Sequence, residues 1–132
     1  DIGLEIDGER VENLPGDGVI ISTPTGSTAY SLSSGGPIVH PTAEVMLITP
    51  ICPHTLQNRS YVIGLESEIT LRLISNQGGA ILSVDGRVGY EMTTGSRVTV
   101  GVSDRKVQYI RLWDEDFFKT LPTKIRKRGL SR

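Results

Sequence analysis

The sequence predicts an all-β domain, an antiparallel β-sandwich-like fold with little helix, and three observations predict it. Apolar and polar residues alternate over short runs, most plainly at Glu68–Ile74 and Arg97–Val102. Asp-Gly pairs at Asp7-Gly8 and Asp85-Gly86 supply the dipeptide that two-residue hairpin turns favour. Strand-sized runs recur at short intervals with turn residues between them, a pattern of antiparallel sandwiches rather than of alternating strands and helices.

Taken in order, Ile2, Leu4 and Ile6 alternate with smaller or polar neighbours and run into Asp7-Gly8, which predicts a hairpin. Val19, Ile20 and Ile21 form a short apolar run expected to be a buried strand, and "EVMLITP" at 44–50 reads the same way. A short helix is expected from Thr28 to Ser34, begun by a capping hydroxyl and ended by Gly35-Gly36-Pro37. Ile69, Leu71 and Leu73 share one face of a strand, as do Val98, Val100 and Val102. Between them "AILSVDGRVGYEM" is a second hairpin, and "KVQYIRL" at 106–112 reads as one more β run. A terminal helix is expected to begin near Asp114 and to be broken by Pro122.

With 132 residues, 37% of them hydrophobic and 22% charged, the chain suits one domain with an ordinary core. Its 14 basic and 15 acidic residues leave a net charge of -1, so composition gives no general field for holding nucleic acid. A lone cysteine, Cys52, cannot close an internal disulfide and fits a reducing compartment. No apolar run approaches the roughly 20 residues of a membrane span, and the reading is cytoplasmic. The chain opens at Asp1 in what reads as mid-strand, as a piece of a longer protein does.

The most informative stretch is "GDGVIISTPTGSTAYSLSSGG", residues 16–36, in which eight Ser and Thr fall between Ser22 and Ser34. Turns use Gly, Pro, Asn and Asp, and need no hydroxyl at every second position. Pro24 and Gly26 set a turn, after which a helix start offers backbone N–H groups beside Thr25, Ser27 and Thr28, an arrangement suited to anions and ribose hydroxyls. Local capping by the same hydroxyls is the plainer alternative. The patterns of phosphate-binding loops and dinucleotide turns are absent.

Other candidates carry weaker signals. Asp17 sits between two glycines, and Asp85 in an Asp-Gly pair; each is either a turn residue or a carboxylate acceptor. His40, Cys52 and His54 suggest metal ligation, with Cys52 and His54 on one strand face, but no second close pair completes a zinc set. The absence of a Gly-x-Ser-x-Gly elbow argues against acyl transfer. The basic tail "KIRKRGLSR" reads as a solvated terminus or a docking segment.

The run "GDGVIISTPTGSTAYSLSSGGPIVHP", followed by "LITPICPH", "VDG" and an aromatic, basic C-terminal segment, closely resembles the C-terminal domain of NAD kinases over nearly the whole chain. The resemblance implies transfer of a phosphoryl group from ATP or polyphosphate to the 2′-hydroxyl of the adenosine ribose of NAD, giving NADP. It implies that residues 1–112 form the β core and that 113–132 dock on an N-terminal domain whose Gly-Gly-Asp-Gly aspartate is the base. No catalytic residue and no metal ligand is then expected in this chain, magnesium accompanies ATP, and the chain alone is expected to be inactive. The implied NAD contacts are Asp17, Thr25, Thr28, Ala29, Tyr30, Ser31, Leu32, Ser33 and Arg87, with Asp85 and Gly86 beside them. A homo-oligomer assembled through the β domains is implied, with no nucleic-acid or membrane partner. Two positions depart from the family pattern: Pro15 stands where a basic residue is common, and Arg87 where glutamine is. A lipid kinase β domain and a non-catalytic β module are the competing readings.

Overall fold

The computed structural model describes residues 1–54, 59–75, 78–110 and 116–129. Their strands are β1 (Ile2–Ile6), β2 (Glu9–Leu14), β3 (Gly18–Ser22), β4 (Val45–Ile51), β5 (Tyr61–Gly64), β6 (Ile69–Leu73), β7 (Ala80–Val84), β8 (Arg87–Met92) and β9 (Arg97–Val100). They form a four-stranded sheet in the order β2-β1-β6-β9, a three-stranded sheet β3-β4-β5 and the separate hairpin β7-β8. Every pairing is antiparallel.

Both Asp-Gly pairs do what the sequence predicts. Asp7 and Gly8 have φ of 53° and 80°, and Asp85 and Gly86 of 50° and 72°. Positive φ at both central residues matches the twist of the flanking strands, which is why these dipeptides close tight hairpins. Asp7 also reaches a second strand, since its backbone N–H donates to the Glu68 carbonyl at 2.9 Å and its carboxylate accepts the Glu68 N–H at 2.8 Å. The first hairpin is thereby fastened to the start of β6.

The two larger sheets share one core. Leu4, Leu14 and Ile69 come from the four-stranded sheet, Met46 and Ile48 from β4, and Val19, Ile21, Tyr61, Ile63, Leu71 and Val100 pack around them. Burying each large aliphatic side chain contributes roughly 1.5–3 kcal/mol. At the border of this core the Tyr61 hydroxyl donates to Glu12 Oε1, linking β5 to β2. β4 is central in its sheet and covered on both faces, since Leu47 and Thr49, pointing opposite to Met46 and Ile48, are also fully buried. The expectation of a buried strand at Val19–Ile21 is met only halfway: β3 is an edge strand and all five of its residues are half-buried.

Three other expectations are corrected. The helix expected over Thr28–Ser34 is a 3₁₀ turn at Thr25–Thr28, a break at Ala29 (φ −97°, ψ −130°), and then α1 (Tyr30–Ser33). Of the β run expected at Lys106–Leu112, the described residues through Ile110 are exposed and form no strand. Alternation marks a strand only where a neighbour takes its backbone hydrogen bonds. Pro122 does not break the terminal helix: α2 runs Phe117–Gly129 straight through it. Proline removes one rung of the helical ladder, and here the ladder continues beyond it. The helix is capped by Asp116, whose carboxylate accepts the Phe118 N–H at 3.0 Å; the start expected at Asp114 lies outside the described residues. The chain divides into two compact units, Asp1–Val102 and Ser103–Arg132.

Candidate functional site

The hydroxyl-rich stretch folds onto the face of the three-stranded sheet that is turned away from the shared core. Thr23 Oγ1 accepts the Gly26 N–H at 3.2 Å and the Thr28 hydroxyl donates to the Thr25 carbonyl at 3.4 Å, but the expected capping hydroxyl is not there: the N-cap positions are Pro24 and Ala29, neither with a side-chain cap bond. Ser27 is fully buried, and its hydroxyl accepts the Val39 N–H at 3.1 Å, pinning the returning segment. Ser31 is also buried, its Oγ 2.9 Å from Thr49 Oγ1 in the middle of β4. Gly35, with φ of 85°, ends α1 in the left-handed conformation that glycine adopts freely.

The hydroxyls therefore sort into two sets. Ser27 and Ser31 face inward and bond to the packing around them. Thr25, Ala29, Tyr30 and Ser33 are exposed, with Tyr30 at 61% of its full surface, while Thr28 and Leu32 are half-buried. One turn of helix sums few peptide dipoles, so what the outward face presents is hydroxyls and a tyrosine ring rather than a helix-end field.

Asp17 lies at the opposite end of β3 from this turn. Its N–H donates to the Ile51 carbonyl at 3.0 Å, and the His54 N–H donates to the Pro15 carbonyl at 2.9 Å, which zips residues 15–17 to 51–54 beyond the β3–β4 ladder. Gly16 is required by close approach: a Cβ there would lie 2.8 Å from the Ile51 carbonyl oxygen and 3.1 Å from Pro53 Cα. The Asp17 carboxylate is thus carried outward on a fixed backbone, with His54 Nε2 3.9 Å from Oδ1. Cys52 and His54 do not share a strand face as expected, because β4 ends at Ile51 and Cys52 turns into positive φ, at 43°. Among the described residues no three His, Cys, Asp or Glu side chains converge as a metal site requires.

Asp85, Gly86 and Arg87 form the exposed tip of the β7–β8 hairpin. Of the implied site residues, the structure groups those of the outward motif face, sets Asp17 at the far end of the neighbouring strand, and turns the Ser31 hydroxyl into the packing. Sequence reasoning misses His54 as a partner of Asp17. The signal is present in the paired ends of two adjacent apolar strands, but their register is not readable from either strand alone.

Residues 1–112 match the family described as the ATP-NAD kinase C-terminal domain. The chain is 42% identical to the NAD kinase of Geotalea daltonii over 96% of its own length and 44% of that protein's, and 44% identical to the NAD kinase of Geobacter metallireducens over 92% and 43%. It therefore spans less than half the length of these relatives. Among solved structures, an NAD kinase from Archaeoglobus fulgidus in complex with ATP aligns with a TM-score of 0.80 and 30% identity over 96% of this chain and 47% of that one. Yeast NADH kinase complexed with NADH aligns with a TM-score of 0.69 and 41% identity over 74% and 28%. No helix among the described residues is long and apolar enough to cross a membrane.

Proposed function

Because this chain belongs to the ATP-NAD kinase C-terminal domain family, we propose that it is the dinucleotide-binding half of a cytoplasmic NAD kinase. The reaction is transfer of a phosphoryl group from ATP or polyphosphate to the 2′-hydroxyl of the adenosine ribose of NAD. The observation that carries this reading is the sorting of the hydroxyl run: Ser27 and Ser31 are consumed by packing, while Thr25, Ala29, Tyr30 and Ser33 face outward. A motif needed only for capping has no use for the exposed half.

In this reading Thr25, Thr28 and Ser33 bond polar groups of NAD, Tyr30 offers a ring to a nucleoside, and Ala29 and Leu32 shape the surface between them. Asp17 supplies a charged acceptor for an N–H or O–H, and Arg87, with Asp85 and Gly86 at the hairpin tip, supplies a donor. Phosphoryl transfer depends on in-line placement of acceptor and donor, so the work of this chain is to hold the 2′-hydroxyl still. An N-terminal domain brings ATP and the base. Magnesium accompanies the ATP there, neutralising charge on the transferring phosphates. The β domains assemble into a homo-oligomer, a reading supported by the hairpin's exposed Ile81, Val84 and Tyr90.

The test is an assay for NADP with NAD, ATP and magnesium, run on this chain alone and on the chain joined to its N-terminal domain. Turnover by the joined protein and none by the chain alone is expected. Turnover by this chain alone overturns the division of labour, and a joined protein that binds NAD without making NADP is a binding module instead.

A further inference from the structure

We infer that the outer face of the four-stranded sheet holds a binding site for a chain of phosphates, built by Arg72 and Arg97 with Arg10 beside them. The inference goes beyond the proposed NAD site and uses none of its residues.

The strand registers place these arginines. Leu4, Leu14 and Ile69 belong to the shared core, so the residues alternating with them point the other way. Gly3 on β1 pairs with Asn13 on β2 and with Arg72 on β6, and Arg72 pairs in turn with Arg97 on β9. Arg10 pairs with Glu5, which follows Gly3 on the same face of β1. Arg72 and Arg97 thus rise from directly opposite positions, about 5 Å apart at the backbone. Like charges so placed cost stability unless an anion offsets them. Among the described residues no carboxylate lies within 4 Å of either guanidinium.

Beside this pair the face is hollow. A cavity of about 340 Å³ lies against Gly3, Arg72, Asn13, Arg10 and Thr94. Glu5 is the one acid among its described lining residues, against two arginines. Gly3 keeps the floor low, since a Cβ there would come 3.2 Å from Ile74 Cδ1. Arg10 is oriented by the bond from its Nη2 to Asn13 Oδ1 at 3.1 Å. All three arginines are exposed, so none is spent on packing.

The density of positive charge selects the ligand. An acidic peptide strand presents carboxylates on one face only at every second residue, about 6.6 Å apart. A phosphate chain carries charge on every phosphorus, and guanidinium forks bind its oxygens two at a time. The Asn13 amide and the Thr94 hydroxyl add neutral donors at the same cavity. Inorganic polyphosphate and the tail of a nucleoside triphosphate share this chemistry.

The experiment is magnesium-free calorimetric titration of the whole protein with tripolyphosphate, orthophosphate, ATP and a hexaglutamate peptide. Parent, Arg72→Gln, Arg97→Gln, the Arg72→Gln/Arg97→Gln double variant and the corresponding double lysine variant are compared. Only binding lost in the double glutamine variant is assigned to this face, which sets aside phosphate held elsewhere in the protein. Tripolyphosphate should bind the parent more tightly than orthophosphate does. Each single variant should weaken it about fivefold and the double about twentyfold, and the lysine variant should recover part of the loss. Melting temperatures should be no lower than the parent's, because the substitutions remove a like-charge pair. Loss of tripolyphosphate and ATP together means that the phosphate chain alone is read. Loss of one and not the other names its carrier, within the same inference. Titrations of the double glutamine variant that match the parent overturn the site, as does a parent that binds orthophosphate as tightly as tripolyphosphate. Hexaglutamate binding that exceeds tripolyphosphate binding and disappears in the double glutamine variant replaces the phosphate chain with an acidic protein partner.

Discussion

The hydroxyl of Ser31 lies 2.9 Å from that of Thr49, in a buried seam between α1 and the middle of β4. This contact decides what the motif's serines do. Removing one partner leaves the other a buried hydroxyl with nothing to bond, at a cost of roughly 1–3 kcal/mol.

Ser31→Ala should therefore lower thermal stability by several degrees, roughly 4–8 °C per kcal/mol for a domain of this size. Ser33→Ala, on the exposed face, should shift stability by under about 0.5 kcal/mol and instead weaken NAD binding. Calorimetric melting of both variants, with NAD titration of each, separates the framework serine from the ligand-facing one.

Gly36 closes the same seam. A Cβ at this position would sit 2.8 Å from both the Ser31 carbonyl oxygen and Thr49 Oγ1, and would collide with Ser31 Oγ. Gly36→Ala should destabilise by roughly 1–3 kcal/mol through overpacking. At Gly35 nothing lies within 4 Å of a Cβ, and the constraint is its φ of 85°. Gly35→Asn should accordingly cost less than Gly35→Ala, because asparagine tolerates the left-handed region. Denaturant melts of the three variants give the order.

Asp17→Asn should keep the fold, since the tie to Ile51 is made by the backbone N–H that asparagine retains. In the whole enzyme it should lower the specificity constant for NAD roughly ten- to a hundredfold, the worth of one charged acceptor. An unchanged melting temperature with reduced kcat/KM is the expected result. Kinetics within about twofold of the parent would remove Asp17 from the site.

Tyr61 makes stability depend on alkaline pH. Its hydroxyl donates to Glu12, and that bond, then burial, then the nearby Glu12 charge raise its pKa above the ordinary 10.0, while Arg59 opposes them. A raised folded-state value means that the protonated form is favoured by folding. The contribution is present in full below about pH 10, the ordinary tyrosine value, and disappears as pH climbs through the higher folded one. Parent and Tyr61→Phe melted from pH 7 to 11 should differ most at the neutral end and converge at the alkaline end.

What the sequence determined by itself was a set of local features. The left-handed turns at Asp7-Gly8 and Asp85-Gly86, the alternation of β6 and β9, and the glycine stop after Ser34 depend on a few adjacent residues whose backbone preferences hold in any context. The density of hydroxyls between Ser22 and Ser34 is likewise plain in the sequence. The tertiary structure alone decided which hydroxyls are spent. Ser31 and Ser33 are equivalent as sequence, and only the placement of α1 over β4 buries one against Thr49 and leaves the other exposed. It also decided that Lys106–Ile110 is not a strand, because alternation becomes a strand only beside an edge that accepts it. And it set His54 beside Asp17, since residues far apart in the chain meet through the register of β3 on β4, a long-range pairing that neither strand encodes alone.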